Sequence, residues 1–140
     1  MLKIEINNQS VSQFSDEKIG AVLKLSVDFL KEKRFIKSES INLSIALVEE
    51  KEIAKLNQQY RSKKGSTDVL SFCYNKTEEE IAGEIILAPE VIERYAQEDS
   101  RNFENEFIKN LIHGLLHIIG LEHSNEMFEL QEGLLKQVII

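Results

Sequence analysis

The spacing of apolar side chains along the chain follows two periods, and each period predicts a different kind of element. Alternation, helped by β-branched and aromatic residues, predicts strands at residues 2–7 (LKIEIN), 41–49 (INLSIALVE), 68–74 (DVLSFCY) and 83–88 (GEIILA). Recurrence at every third or fourth position predicts helices over residues 16–34 and 50–60, from Pro89 onward, and over residues 103–119 and 125–138. This order favours an α+β fold with a four-stranded mixed sheet and about five helices.

The same spacing predicts which side chains face the core. On the first predicted helix the inward positions are Ile19, Val22, Leu23, Val27 and Leu30. On the second predicted helix we expect Tyr60 to face inward with Ile53 and Leu56, and the helix that begins at Pro89 should carry Val91, Ile92 and Tyr95. Cys73 lies in a strand rich in apolar residues, where a buried position is usual for a free cysteine.

Composition and charge narrow the classes of function. The chain has 140 residues, of which 42% are apolar and 29% charged, as expected for a single domain over residues 1–140. Its 17 Lys and Arg residues against 24 Asp and Glu residues give a net charge of −7, which excludes nucleic-acid binding through overall positive charge. Any contact with RNA is therefore expected to be local, and the two basic segments are residues 31–37 and 60–64.

The expected location is the cytoplasm. One cysteine cannot form an internal disulfide, and the first residues, MLKIEINNQS, lack the basic start and the apolar run of a secretory signal. The longest apolar stretch, Leu111 to Leu121, is too short to cross a bilayer and contains two histidines. We therefore expect no association with a membrane.

All three histidines of the chain lie in one largely apolar segment, residues 113–123 (HGLLHIIGLEH). His113 and His117 are four residues apart, so on a helix both side chains lie on one face and can reach one ion. Gly120 can adopt a positive φ, which would turn the chain sharply and return His123 toward the other two. Polar rings left unsatisfied in an apolar stripe would cost about 1 to 3 kcal/mol each, a cost that a metal ion removes. The spacing therefore predicts a three-histidine metal site on a helix and the turn after it.

Three imidazoles without a fourth protein ligand are typical of a catalytic zinc site. Cys73, the only cysteine, lies in a predicted strand far from the histidines in sequence, so we do not expect it to complete a closed structural site. An open fourth position admits water, and three neutral ligands of this kind lower the pKa of zinc-bound water in carbonic anhydrase to about 7. We therefore expect one zinc ion per chain, although three imidazoles also suit nickel, copper or iron.

The histidine spacing also matches the zinc-protease motif H-E-x-x-H-x-x-G-x-x-H, with one difference. Gly114 stands where that motif has its glutamate, so the usual general base for peptide hydrolysis is absent. A glycine inside a helix costs about 0.5 to 1 kcal/mol relative to alanine, and it indicates that another element approaches the helix closely there. The protease interpretation is therefore the weaker one.

Motifs on both sides of the histidines resemble those of the YbeY family of bacterial rRNA maturation endoribonucleases. The shared motifs are H-G-x-L-H-x-x-G-x-[D/E]-H, T-D-V-L-S-F and G-[D/E]-I. The matching positions are Tyr60, Arg61, residues 67–72, residues 83–85, residues 113–123, Met127, Glu129 and Gln131. The resemblance implies a single α+β domain, zinc held by three histidines and cleavage of single-stranded RNA. It also implies 16S rRNA 3′-end maturation and ribosome quality control, with rRNA, the small ribosomal subunit and ribosomal proteins as partners.

Carried over residue by residue, the resemblance assigns metal binding to the three histidines and the functionally required arginine to Arg61. An arginine side chain presents a rigid fork that matches phosphate oxygens and can stabilise charge on a phosphodiester in its transition state. Lys63 and Lys64 belong to the same basic segment, and we expect them to contact phosphates without reading the base sequence.

Three positions depart from the family pattern. Glu122 and Glu84 stand where the family usually has aspartate, and Cys73 replaces a proline. A carboxylate beside a metal ligand, as Glu122 is beside His123, can orient a ring N–H or act on water as a catalytic group. Alternatively, Glu122 and Glu84 are ordinary surface residues without a role in the site. Asp68 begins a strand, where an aspartate often bonds local backbone N–H groups, and it is a candidate for supporting the site.

Two other functions stay open on the sequence alone. One is a small zinc metallohydrolase or metalloprotease, which the histidines permit and the missing glutamate opposes. The other is a ribosome-associated protein in which the metal only organises a turn. Metal removal distinguishes them, because a structural site predicts loss of the fold and a catalytic site predicts loss of activity alone. The nucleophile, either water or the 2′-hydroxyl of RNA, is open as well.

Overall fold

The computed structural model describes residues 1–9 and 14–139, which form four strands and five helices. In chain order the elements are β1 (Leu2–Asn8), α1 (Asp16–Glu32), β2 (Ser40–Leu47), α2 (Glu50–Arg61), β3 (Val69–Lys76), β4 (Glu80–Leu87), α3 (Pro89–Glu98), α4 (Phe103–Ile118) and α5 (Asn125–Val138). Every predicted element is present, and the α+β fold class is confirmed. The largest difference is the charged connection before β4, which is a tight turn because the hydroxyl of Thr77 accepts hydrogen bonds from the amides of Glu79 and Glu80.

The four strands form one mixed sheet in the order β1-β2-β4-β3. β1 and β2 run parallel, as do β2 and β4, whereas β3 runs antiparallel to β4. β3 is therefore an edge strand of the described sheet, and one side of its backbone is not paired with a neighbouring strand. A register shift between Cys73 and Asn75 marks a bulge near the end of this strand.

One face of the sheet carries the main core. Ile41, Leu43, Ile45 and Leu47 alternate along β2 and are all buried, as the strand pattern predicted. The inward positions predicted for α1 are buried as well, and they join this cluster together with α4. α4 contacts β3, β4, α1, α3 and α5, which makes it the central helix of the domain.

The opposite face is covered only in part. A second apolar cluster includes Ile53 of α2, Leu70 of β3 and Ile86 of β4, so α2 packs over one end of this face. Beyond α2, polar side chains such as Asn42 and Ser44 border a shallow hollow on the sheet. The sheet therefore has one fully packed face and one face that is partly open.

The packing of α4 against β4 leaves no room for a side chain at Gly114. A Cβ atom at Gly114 would lie 2.8 Å from Cγ2 of Ile85, a residue of β4 that is fully buried. The predicted close approach at this glycine is thus confirmed, and its partner is the sheet. This contact sets the height of His113 above the sheet, because the two residues are neighbours on α4.

Gly114→Ala should lower the free energy of unfolding by about 1 to 3 kcal/mol, because an added methyl group overpacks a rigid core contact. The matched control is Gly133→Ala in α5, where nothing lies within 4 Å of the added Cβ atom. That change should raise stability by about 0.5 to 1 kcal/mol through helix propensity alone. Urea unfolding of both variants measures the difference, and equal shifts for the two would contradict the tight contact.

Two expectations about burial, those for Tyr60 and Cys73, are wrong. Tyr60 is 59% exposed because the apolar cluster under α2 ends before the last turn of the helix. Cys73 is exposed because it lies on the edge strand beside the bulge. In each case the local pattern predicted the helix or strand correctly, but not how far the core extends.

The described helices contain no segment that is both long and apolar enough to cross a membrane.

Candidate metal centre

After α4 ends, the chain reverses direction at Gly120 and runs back toward the last turn of the helix. Gly120 has φ of +100°, and its amide donates to the His117 carbonyl at 3.0 Å. The amide of Leu121 donates to the Leu116 carbonyl, also at 3.0 Å. These two bonds are those of a Schellman motif, which a glycine closes at low cost because positive φ is accessible to it. The predicted turn at Gly120 is confirmed, and it brings His123 back to the helix.

The three histidine side chains converge on one point. The Nε2 atom of His117 lies 3.1 Å from that of His113 and 3.0 Å from that of His123. The third separation, between His113 and His123, is 3.2 Å. A tetrahedral ion bound at 2.0 to 2.1 Å requires nitrogens about 3.3 to 3.4 Å apart, so the arrangement fits a small divalent metal. His113, His117 and His123 therefore have the geometry of a three-nitrogen metal site.

Hydrogen bonds to the Nδ1 atoms of His113 and His117 fix the orientation of these two rings. Nδ1 of His113 lies 2.8 Å from Oε1 of Gln131, and Nδ1 of His117 lies 3.0 Å from the Leu121 carbonyl oxygen. Both oxygens only accept, so each Nδ1 donates its proton and each neutral ring turns an Nε2 lone pair toward the centre. Such facing lone pairs repel one another, and a bound cation removes that repulsion.

Burial favours the neutral form of the same two rings. Desolvation lowers the pKa of His113 and of His117, and it outweighs the hydrogen bond that each Nδ1 makes. Mutual repulsion among the three rings acts in the same direction. Neutral imidazole is the form that binds metal, so the electrostatics of the pocket agree with its geometry.

Gln131 holds the ring of His113, a role that the sequence reasoning missed. Gln131 is only 2% exposed, and on α5 it shares the inward face with Met127 and Leu134. A polar residue on an otherwise apolar helical stripe is the signal that could have identified it, because a buried amide needs a partner.

Gln131→Leu should weaken zinc binding about 10- to 100-fold, because it removes the acceptor that orients the metal-binding ring. The control is Gln137→Leu, an exposed glutamine on the same helix, which should leave affinity unchanged. Competition with a chromophoric chelator measures both affinities without any dependence on catalysis. Equal zinc affinity in the two variants would show that the ring needs no support from Gln131.

The three histidines lie in a cleft of about 510 Å³ at the edge of the sheet. Its walls are formed by Arg61, the three histidines and the consecutive residues 67–72. Side chains that alternate along a strand point to opposite faces of the sheet, so consecutive residues can line one cleft only where the cleft runs along the edge of the strand. Residues 69–72 of β3 are consecutive in this lining, which places the unpaired backbone edge of β3 along the cleft. A second cavity of about 410 Å³, between α1, α4 and the end of α5, lies away from the histidines.

The cleft brings some of the candidate residues together and leaves others outside. Arg61, the last residue of α2, shares it with the histidines, and its positive charge adds to the lowering of the pKa of His117. Asp68 also lines the cleft, and its carboxylate accepts a long bond of 3.4 Å from the Thr67 hydroxyl. Arg61, Asp68 and the three histidines therefore line one cleft.

Five residues that the sequence singled out lie outside this lining. Lys63 and Lys64 are exposed in the loop after α2, and Glu122 is exposed beside His123. Glu84 is farther along the sheet, where its carboxylate accepts a hydrogen bond of 2.7 Å from the Tyr74 hydroxyl. Cys73 is not part of the histidine cluster. The roles proposed for Lys63, Lys64 and Glu122 stay predictions.

Comparison with known proteins agrees with this geometry. A sequence profile described as Endoribonuclease YbeY matches residues 4–139. Endoribonuclease YbeY of Petrotoga mobilis is 37% identical over 140 aligned residues, which cover 96% of this chain and 93% of that protein. The namesake from Bdellovibrio bacteriovorus is 32% identical, with 98% of each chain covered. The solution structure of TM1509 from Thermotoga maritima superposes with a TM-score of 0.62 and 30% identity, over 99% of this chain and 89% of that one. This chain therefore belongs to the YbeY family of endoribonucleases.

Proposed function

We propose that this protein is a zinc-dependent endoribonuclease that cuts single-stranded RNA. The observation that carries the proposal is the convergence of three Nε2 atoms, 3.0 to 3.2 Å apart, in a cleft that also holds Arg61. The fold and family agree with RNA as the substrate, and Gly114 in place of a glutamate opposes peptide hydrolysis.

In this proposal the histidines and Arg61, which all line the cleft, have different roles. His113, His117 and His123 would hold one zinc ion, which when bound supplies Lewis-acid chemistry at a phosphodiester oxygen. Arg61 binds the phosphate through its guanidinium fork and stabilises the negative charge that develops on it. The same contact holds the RNA strand in position along the edge of β3.

The residues at the rim act on the neighbouring parts of the strand. Lys63 and Lys64 contact phosphates beside the cut site, which adds affinity without base preference. Glu122 accepts a proton from the nucleophile, either water or the 2′-hydroxyl of the RNA, an assignment that its position beside His123 supports.

The substrate that we propose is the 3′ end of 16S rRNA within the small ribosomal subunit. Membership of an endoribonuclease family supports RNA as the substrate, and the proposal includes a role in ribosome quality control and a location in the cytoplasm. The net charge of −7 limits unaided attraction to RNA, so ribosomal proteins are the expected source of additional docking contacts.

The test combines metal analysis with cleavage of two RNAs that have the same sequence, one single-stranded and one in a duplex. We expect about one zinc per chain, cleavage of the single strand only, and loss of cleavage on chelation with recovery when zinc is restored. Unprocessed small subunits then provide the rRNA substrate, and the new 3′ end is mapped. Retained cleavage after complete metal removal contradicts the proposal, and unfolding on metal removal without any cleavage supports a structural metal instead.

A further inference from the structure

Three aromatic side chains form a row that begins at the wall of the cleft. This aromatic row consists of Tyr60, Phe72 and Tyr74. Tyr60 is 59% exposed and Tyr74 is 66% exposed, whereas Phe72 is half-buried and lines the cleft together with Arg61. Large aromatic surfaces cost free energy when they are left in water, so a row of them beside a catalytic cleft needs an explanation.

The row is a consequence of how α2 meets the sheet. Phe72 packs against the apolar cluster under α2, and Tyr74 borders the hollow beside Asn42 and Ser44, so both side chains lie on the partly open face of the sheet. Tyr60 comes from the last turn of α2 and meets the Phe72 ring edge to face, with ring centres 5.4 Å apart and an angle of 70° between the rings. Because Phe72 and Arg61 line the same cleft, the inner end of the row lies beside the proposed phosphate-binding group.

The outer end of the row is held in place. The Tyr74 hydroxyl donates to the Glu84 carboxylate at 2.7 Å, and this bond raises the pKa of Tyr74 to about 12, so the ring stays neutral. Tyr74 also borders the shallow hollow of about 260 Å³ on the open face of the sheet, beside Asn42 and Ser44. The row therefore leads from the cleft onto a solvent-accessible surface.

We propose that the aromatic row is a stacking surface for the bases of the RNA strand next to the cut site. The inference rests on the proposed function, since it takes the cleft to be the place where the phosphodiester is bound. Stacking on aromatic rings requires bases whose faces are free, which a single strand provides and a duplex does not. It also requires no positive charge, which suits a chain with a net charge of −7.

The test measures binding of two fluorescently labelled strands of equal length by anisotropy. One is a 2′-O-methyl oligonucleotide with all its bases, and the other has abasic positions where the bases next to the cut site would lie. Tyr60→Leu and Tyr74→Leu keep apolar bulk but remove the ring, and each should weaken binding of the first strand about 5- to 100-fold. Neither should change binding of the abasic strand, because its phosphate contacts are the same.

The chain supplies its own controls. Tyr95 on α3 is also exposed but lies outside the row and the cleft, so Tyr95→Leu should bind both strands as the wild type does. Tyr60→Phe and Tyr74→Phe keep the ring and should bind nearly as well, and Tyr74→Phe separates stacking from the bond to Glu84. The chain contains no tryptophan, so its three tyrosines dominate the fluorescence, and stacking should quench the signal of Tyr60 and Tyr74.

Each outcome decides the matter. If the Leu variants bind the base-bearing strand like the wild type, or lose affinity for both strands equally, the stacking surface is wrong. The row is then an ordinary surface or a contact for a protein partner. If the wild type binds neither strand and cuts no RNA, the proposed function fails and the stacking surface fails with it. Wild-type cleavage with unaffected Leu variants overturns the stacking inference alone.

Discussion

His117→Ala should abolish stoichiometric zinc binding and reduce RNA cleavage to background, while the chain keeps its fold. His117 is the central member of the site, since its Nε2 lies 3.0 to 3.1 Å from both other ring nitrogens. Removing it leaves two imidazoles, too few to hold zinc against competing chelators. The expected loss of affinity exceeds the 10- to 100-fold that a change in an outer hydrogen bond typically produces.

The structural cost of the same change is small by comparison. His117→Ala loses the hydrogen bond to the Leu121 carbonyl, which contributes about 0.5 to 1.5 kcal/mol to stability. Asn105→Ala, an exposed change on the first turn of α4, is the control for general effects on the helix. Metal content, RNA cleavage and urea unfolding of the metal-free proteins are measured together. A His117→Ala protein that still holds one zinc per chain would rule out the three-histidine site.

Arg61→Ala should lower kcat for RNA cleavage by about 100- to 1,000-fold and leave zinc content unchanged. Arg61 lines the cleft together with the three histidines, and in the proposed function its guanidinium stabilises the charge that develops on the phosphate. Arg61→Lys should recover only part of the rate, because an ammonium group has no bidentate fork. Single-turnover cleavage at saturating enzyme separates this effect on the chemical step from an effect on binding.

The matched control for Arg61 is Arg101→Ala. Arg101 is exposed, pairs with Glu106 at 3.4 Å near the start of α4, and lies outside the cleft. An exposed ion pair of this kind contributes little to stability, so the variant should cut RNA at the wild-type rate. If Arg61→Ala and Arg101→Ala behave alike, the arginine in the cleft has no role in the reaction. If Arg61→Ala loses its zinc, the residue supports the metal site rather than the phosphate.

Local spacing was enough to predict the elements and the metal-binding set. Whether a segment becomes a helix or a strand depends on near neighbours, and the apolar periods of β2 and α1 are unambiguous. The histidine cluster was predictable for the same reason. His113 and His117 are one helical turn apart, and the turn that returns His123 depends on the φ that Gly120 alone can adopt at low cost. All of these contacts span ten residues or fewer.

Contacts between distant segments were decided only by the tertiary structure. Gln131 reaches His113 because α5 packs against α4, and Arg61 joins the histidines because α2 ends beside the edge of β3. The apolar period of a helix does not indicate how far the neighbouring sheet or helix extends along it. For this reason the period predicts a buried Tyr60, whereas the residue is exposed. The free energy of such contacts depends on how whole elements pack, a property of the complete fold and not of any one segment. The metal-binding set is thus local in origin, whereas the cleft around it is a product of long-range packing.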